Sequence, residues 1–219
     1  MAFQDLLIAA QKYFPSLQVK YKNQSTFMKV LGTILFFNKS FMTDYVTTIG
    51  SIIYIPDQNY MKLHPVSGSV TFLHELVHIY DSGKISRPLF TFLYLLPQIM
   101  ALLLLPLFFF LKWWIVLPLV LLCLAPIPAY FRMVFEKRAY ISSIYTLNAL
   151  GKRLNFNPHL ANQVSFFVEQ FCNSYYYFMY PFKKELNKQF NEAMQKVLSG
   201  QRPYQDPVFD ILDDLVTKV

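Results

Sequence analysis

Residues 70–85 read Val-Thr-Phe-Leu-His-Glu-Leu-Val-His-Ile-Tyr-Asp-Ser-Gly-Lys-Ile, and within them stands His74-Glu75-Leu76-Val77-His78. On a helix, positions i and i+4 share a face about one turn apart, so both imidazoles can bind one cation. Glu75 projects beside them, within reach of a water on that cation. Two of the chain's four histidines fall in this pentapeptide. Leu73, Leu76 and Val77 are apolar, as a helix packed into a core requires. The plainer reading is a polar helix face that happens to carry two histidines and a glutamate.

A catalytic zinc takes three protein ligands and keeps a fourth position for water. In the metzincin pattern a glycine and a third histidine follow the second histidine by three and six residues. Those places hold Asp81 and Lys84 here, and an ammonium cannot ligate. The remaining common solution is a glutamate on a later helix. Glu136, Glu169, Glu185 and Glu192 are the candidates. Glu185 and Glu192 lie in a lysine-rich amphipathic stretch. Glu136 opens a helix with the small Ala139 one turn on, which allows two helices to approach closely. Glu136 is the expected third ligand, with Glu169 in reserve.

Between those motifs the chain turns apolar. From Pro88 to Phe131 the sole charged residue is Lys112. Leu89–Leu111 and Trp113–Phe131 would span about 34 and 28 Å as helices, against a hydrocarbon core about 30 Å thick. Lys112-Trp113-Trp114 suits a headgroup layer. The expected element is a transmembrane helical hairpin kinked at Pro97, Pro106, Pro118, Pro126 and Pro128, the last two able to end the second span early. Lys84 and Arg87 precede it, and Arg132, Lys137 and Arg138 follow, so both termini and the motif are expected on the cytoplasmic side. Such a hairpin would also return Glu136 to the membrane face carrying His74 and His78. The alternative is a buried helix pair of a soluble core.

Hydrophobic residues make up 54% of the 219 and charged residues only 15%, which excludes a disordered chain. The net charge of +7 comes from scattered basic residues or from those flanking the apolar stretch, where lipid phosphate accounts for them, so nucleic acid is not an expected partner. Met1–Ala10 lacks a basic run and carries Asp5, unlike a secretory signal. Cys123 and Cys172 are expected to be reduced.

The fold expected is α+β, mostly helical, in four segments. Residues 1–87 carry the motif helix, 88–131 the hairpin, 132–200 the helical half with the third ligand, and 201–219 a tail. An amphipathic first helix ends at Pro15, and a small sheet is expected over Tyr45–Ile55, with Gly50 marking a bulge or close backbone approach. Val30–Phe37 is apolar but too short to span. Helices are expected over Glu136–Leu154, Val164–Tyr180 and Lys183–Leu198.

His-Glu-Leu-Val-His, two apolar spans, then Glu136-Lys137-Arg138-Ala139 resembles the gluzincin membrane metallopeptidases, among them the bacterial heat-shock membrane protease and the CAAX-prenyl endopeptidases. Residues 135–140 and Ile52-Ile53-Tyr54-Ile55-Pro56 also resemble small metallopeptidases of bacteriophage genomes. The resemblance covers about residues 45–145. It departs from the larger family at Tyr140, where that family has Asp, and in lacking further spans upstream. It implies a minimal zincin domain, Zn2+ held by His74, His78 and Glu136, hydrolysis of a peptide or protein substrate with Glu75 as general base, and a sheet strand that pairs with extended substrate. Asp81 is a candidate to orient His78 or else a surface residue. Tyr140 is a candidate oxyanion stabiliser or else a core residue. A membrane-perturbing, lysis-related protein with a structural or vestigial metal is the alternative function.

Overall fold

A computed structural model of the chain describes residues 3–36, 38–96, 98–124, 129–173 and 179–219 and shows a mostly helical protein with one small sheet. In order the elements are α1 (Phe3–Tyr13), β1 (Gln18–Tyr21), α2 (Thr26–Ile34), β2 (Thr47–Ile49), β3 (Ile52–Ile55), α3 (Tyr60–Leu63), α4 (Pro65–Ile85), α5 (Arg87–Leu95), α6 (Gln98–Leu104), α7 (Trp113–Leu124), α8 (Tyr130–Leu154), α9 (Leu160–Cys172), α10 (Lys183–Leu198) and α11 (Val208–Val216), with short 3-10 turns between some of them. They fall in two compact units. One comprises Met1–Tyr80, Tyr145–Pro158 and Arg202–Val219, the other Asp81–Ile144 and His159–Gln201; α4 and α8 contribute residues to both.

In the first unit, α1 buries Leu6, Ala9 and Ala10, and the Phe3 ring meets Phe72 edge-on at 5.1 Å. This is the face of a core helix, and it stops two residues short of Pro15, since a residue before proline is pushed out of the helical region. The sheet has the order β1-β3-β2. β2 and β3 form the expected strands, in antiparallel register from Thr47↔Tyr54 to Ile49↔Ile52. Gly50 does not make a bulge. It opens the two-residue turn between them with φ +62°, and a Cβ there would meet nothing within 4 Å. Two-residue hairpin loops need positive φ, so conformation rather than space explains the glycine. β1, unforeseen, pairs parallel with β3 from Gln18↔Ile52 to Tyr21↔Ile55; four residues are too few to display a period.

α4 begins at Pro65, where a missing N–H costs nothing in the first turn. Leu73, Leu76 and Val77 are at most 1% exposed, so the motif helix is a core helix. C-terminal pieces close the unit: the Tyr145 hydroxyl donates to Asp213 at 2.7 Å, its ring lies 5.1 Å from Phe209, and the Tyr13 hydroxyl donates to Asp214 at 3.0 Å.

In the second unit, α9 and α10 pack through Phe167, Phe171 and Phe190. α9 ends at Cys172; the remainder of the helix expected to Tyr180, including Tyr175, Tyr176, Tyr177 and Phe178, lies outside the described residues. The apolar segment differs from two straight spans. Among the described residues no single helix is long and apolar enough to cross a membrane; Arg87–Leu95 and Ile99–Phe109 reach that length only as a pair bent by 87°. Leu96 shows why: it takes ψ 139°, extended backbone, as residues before proline do. Pro97, Pro126 and Pro128 lie outside the described residues, as does Phe37. α7 has 12 residues with Pro118 inside, about 18 Å of helix. Ala101, Val116 and Val120 form a buried cluster between α6 and α7, while Phe109 and Phe110 are 89% and 82% exposed. Cys123 and Cys172 are free thiols.

Candidate metal centre

α4 sets His74 and His78 one turn apart with their Nε2 atoms 3.2 Å from each other and their rings at 78°. Two nitrogens on one tetrahedral zinc at about 2.0–2.1 Å must stand about 3.3 Å apart, so this spacing suits a shared cation. It also suits one N–H···N hydrogen bond. A third donor favours the cation: His74, His78 and Glu136 are all buried, and one ligand atom from each lies within 4.8 Å of the others. Two imidazoles and a carboxylate at that separation can hold a metal ion. Glu136 is 2% exposed, and a buried carboxylate calls for a cation or strong donors nearby.

Two further contacts fix the ends of these helices within the second unit. Arg138 Nε meets Asp81 Oδ2 at 2.9 Å, joining the last turns of α4 to the first turns of α8. The Tyr94 hydroxyl, from α5, donates to Glu136 Oε1. Asp81 is therefore a buried partner of Arg138 rather than a surface residue. Its side chain is 8% exposed and that of Arg138 21%, so the pair lies between the surface and interior limits. Asp81→Leu alone strands a charge, and about 1–3 kcal/mol of stability should be lost. Asp81→Leu with Arg138→Met should recover most of that loss. Urea unfolding of the two variants in detergent checks both expectations.

The remaining candidates separate. The Tyr140 ring packs on Phe167 at 4.5 Å and Phe171 at 5.6 Å, the environment of a core aromatic. Glu169, the reserve ligand, is half exposed and pairs with Lys183. The chain's other two histidines, His64 and His159, are exposed, the latter with φ +46°.

Glu75 is buried, and its charge acts on Lys22 and Tyr60 in the same unit. Lys22 is fully buried; its Nζ donates to the Phe41 carbonyl at 2.6 Å and sits 4.0 Å over the Phe41 ring. Burial pulls its pKa down from 10.5 to about 8, and the Glu75 carboxylate works against that fall. Burial, then Asp44, then Glu75 raise the Tyr60 hydroxyl. Folded protein releases the Lys22 proton near pH 8 and unfolded chain near 10.5, so the unfolded state holds more protons across that window. Stability should thus rise with pH by up to about 3 kcal/mol from this group. Lys22→Met should abolish that rise, read as the unfolding midpoint at pH 7.5, 8.5 and 9.5. Nothing in the local sequence around Lys22 or Tyr94 signals these roles, beyond a hydroxyl among apolar neighbours at Tyr94.

No family model matches the chain, and neither a curated protein nor a solved structure is found to be similar to it.

Proposed function

We propose that the chain is a membrane-anchored zinc metallopeptidase. The observation that carries the proposal is the buried convergence of His74, His78 and Glu136, with Glu75 one residue after the first histidine. His74, His78 and Glu136 would hold the ion, which supplies Lewis acidity for activating water and polarising a peptide carbonyl. Glu75 takes a proton from the attacking water as the oxygen bonds to the carbonyl carbon. As the C–N bond breaks, Glu75 passes that proton to the leaving amine. β2 lies at a sheet edge, where backbone groups can pair with an extended peptide.

The anchor is assigned to the apolar stretch over residues 88–131, with both termini and the metal centre on the cytoplasmic side. Its exposed Phe109, Phe110, Trp113 and Trp114 and the basic residues at its flanks support a lipid bilayer as its surroundings.

The reading is tested by purifying the full chain in detergent, measuring metal content, and comparing N-termini across a host proteome with and without expression. About one zinc per chain and new N-termini that depend on Glu75 are the expected results. Absence of zinc after reconstitution with excess ion overturns the proposal.

A further inference from the structure

Tyr94 belongs to the first helix of the apolar segment, yet its hydroxyl donates to Glu136. Its ring is held in place independently of that bond. Phe90, one turn earlier, stacks on it at 6.0 Å and itself lies 4.4 Å from Phe135, while the Arg132 guanidinium sits 5.0 Å over its face. Arg132 and Phe135 come from the same helix as Glu136, so α8 orients the phenol that contacts its own carboxylate.

We infer that Tyr94 is the positioning residue for Glu136: it engages Oε1 and leaves Oε2 as the oxygen that binds the cation. The inference rests on the metal-centre reading above. A carboxylate can bind a metal through one oxygen or through both. An O–H donor on one oxygen draws electron density from it and fixes the group's rotation, so the other oxygen becomes the better ligand. Two imidazoles and one carboxylate oxygen would supply three ligands and leave a position for water, as a hydrolytic site requires. Residues that hold ligands in place this way are worth about 10–100-fold in metal affinity. The apolar segment is then part of the centre as well as an anchor.

Tyr94→Phe removes the hydroxyl and keeps the ring. Zn2+ affinity would be measured by chelator competition on the full chain in detergent. The visible spectrum of the Co2+-loaded protein would be recorded beside it, because four-coordinate cobalt(II) absorbs more strongly than five-coordinate. The controls are Tyr180→Phe, which loses a hydroxyl–carboxylate bond to Glu185 elsewhere in the same unit, and Glu136→Gln. Expected for Tyr94→Phe are affinity about 10–100-fold weaker, a weaker cobalt band as Glu136 turns to bind through both oxygens, and unchanged helical content. Tyr180→Phe should match wild type in both readouts. Wild-type affinity and spectrum in Tyr94→Phe would overturn the inference while leaving the metal centre standing. A Glu136→Gln variant that binds zinc like wild type would overturn the metal centre, and this inference with it.

Discussion

Glu75→Gln is expected to lower peptide hydrolysis by about 10²–10⁴-fold, the usual worth of a positioned general base, while zinc content stays at the wild-type level. Glutamine has the shape of glutamate and fits the buried position that Glu75 occupies on α4, so the core around Leu73, Leu76 and Val77 should be undisturbed. What it lacks is the basic oxygen that would take the water's proton in the proposed reaction. A second effect distinguishes this variant from a general loss of structure. The Glu75 charge holds up the Lys22 ammonium against burial, so its removal should drop the Lys22 pKa further and extend to lower pH the range over which stability rises. Activity would be followed as product N-termini by mass spectrometry, metal by elemental analysis, and stability by unfolding at several pH values. Equal hydrolysis by wild type and variant would remove Glu75 from the reaction. Vesicle leakage that persists in the variant, with no hydrolysis by either protein, would favour a membrane-perturbing role.

The parts of this molecule readable from sequence are those where chemistry narrows the choice of residue. Two histidines at i and i+4 restrict the geometry before any fold is known, and five glutamates in the whole chain leave few third donors. Apolar positions at helical spacing, Leu186, Phe190, Ala193, Met194 and Val197, likewise expose α10, whose expected and observed limits coincide at Lys183 and Leu198. Contacts set by the meeting of distant segments left no local trace. β1 exists because β3 offers it a parallel edge, Arg138 is spent on Asp81, and Lys22 is buried under the Phe41 carbonyl. None of these follows from neighbours in sequence. The apolar stretch is intermediate: its composition is plain, and its prolines announce kinks, but the extended backbone at Leu96 turns one expected span into a sharply bent pair.

Glu136→Gln and His78→Ala should each weaken zinc binding by more than the about 10–100-fold expected for Tyr94→Phe, since they remove a proposed ligand rather than its support. The consequence for stability should change sign with the metal. A ligand that binds only the folded state stabilises it by about 4 kcal/mol at a thousand times its dissociation constant, so wild type should melt well above its metal-free form when zinc is in excess. Both variants should lose that increment. In metal-free protein the order should differ. Glu136 is 2% exposed beside His74 and His78, and keeping a carboxylate ionised in such a place costs free energy that a neutral amide avoids. Metal-free Glu136→Gln should therefore melt no lower than metal-free wild type, even though it melts lower when both are given zinc. Calorimetric scans of the two proteins with chelator and with excess zinc measure all four states. A variant less stable than wild type by the same amount in both conditions would make Glu136 a packing residue, because only a ligand's contribution depends on whether its cation is there to be held.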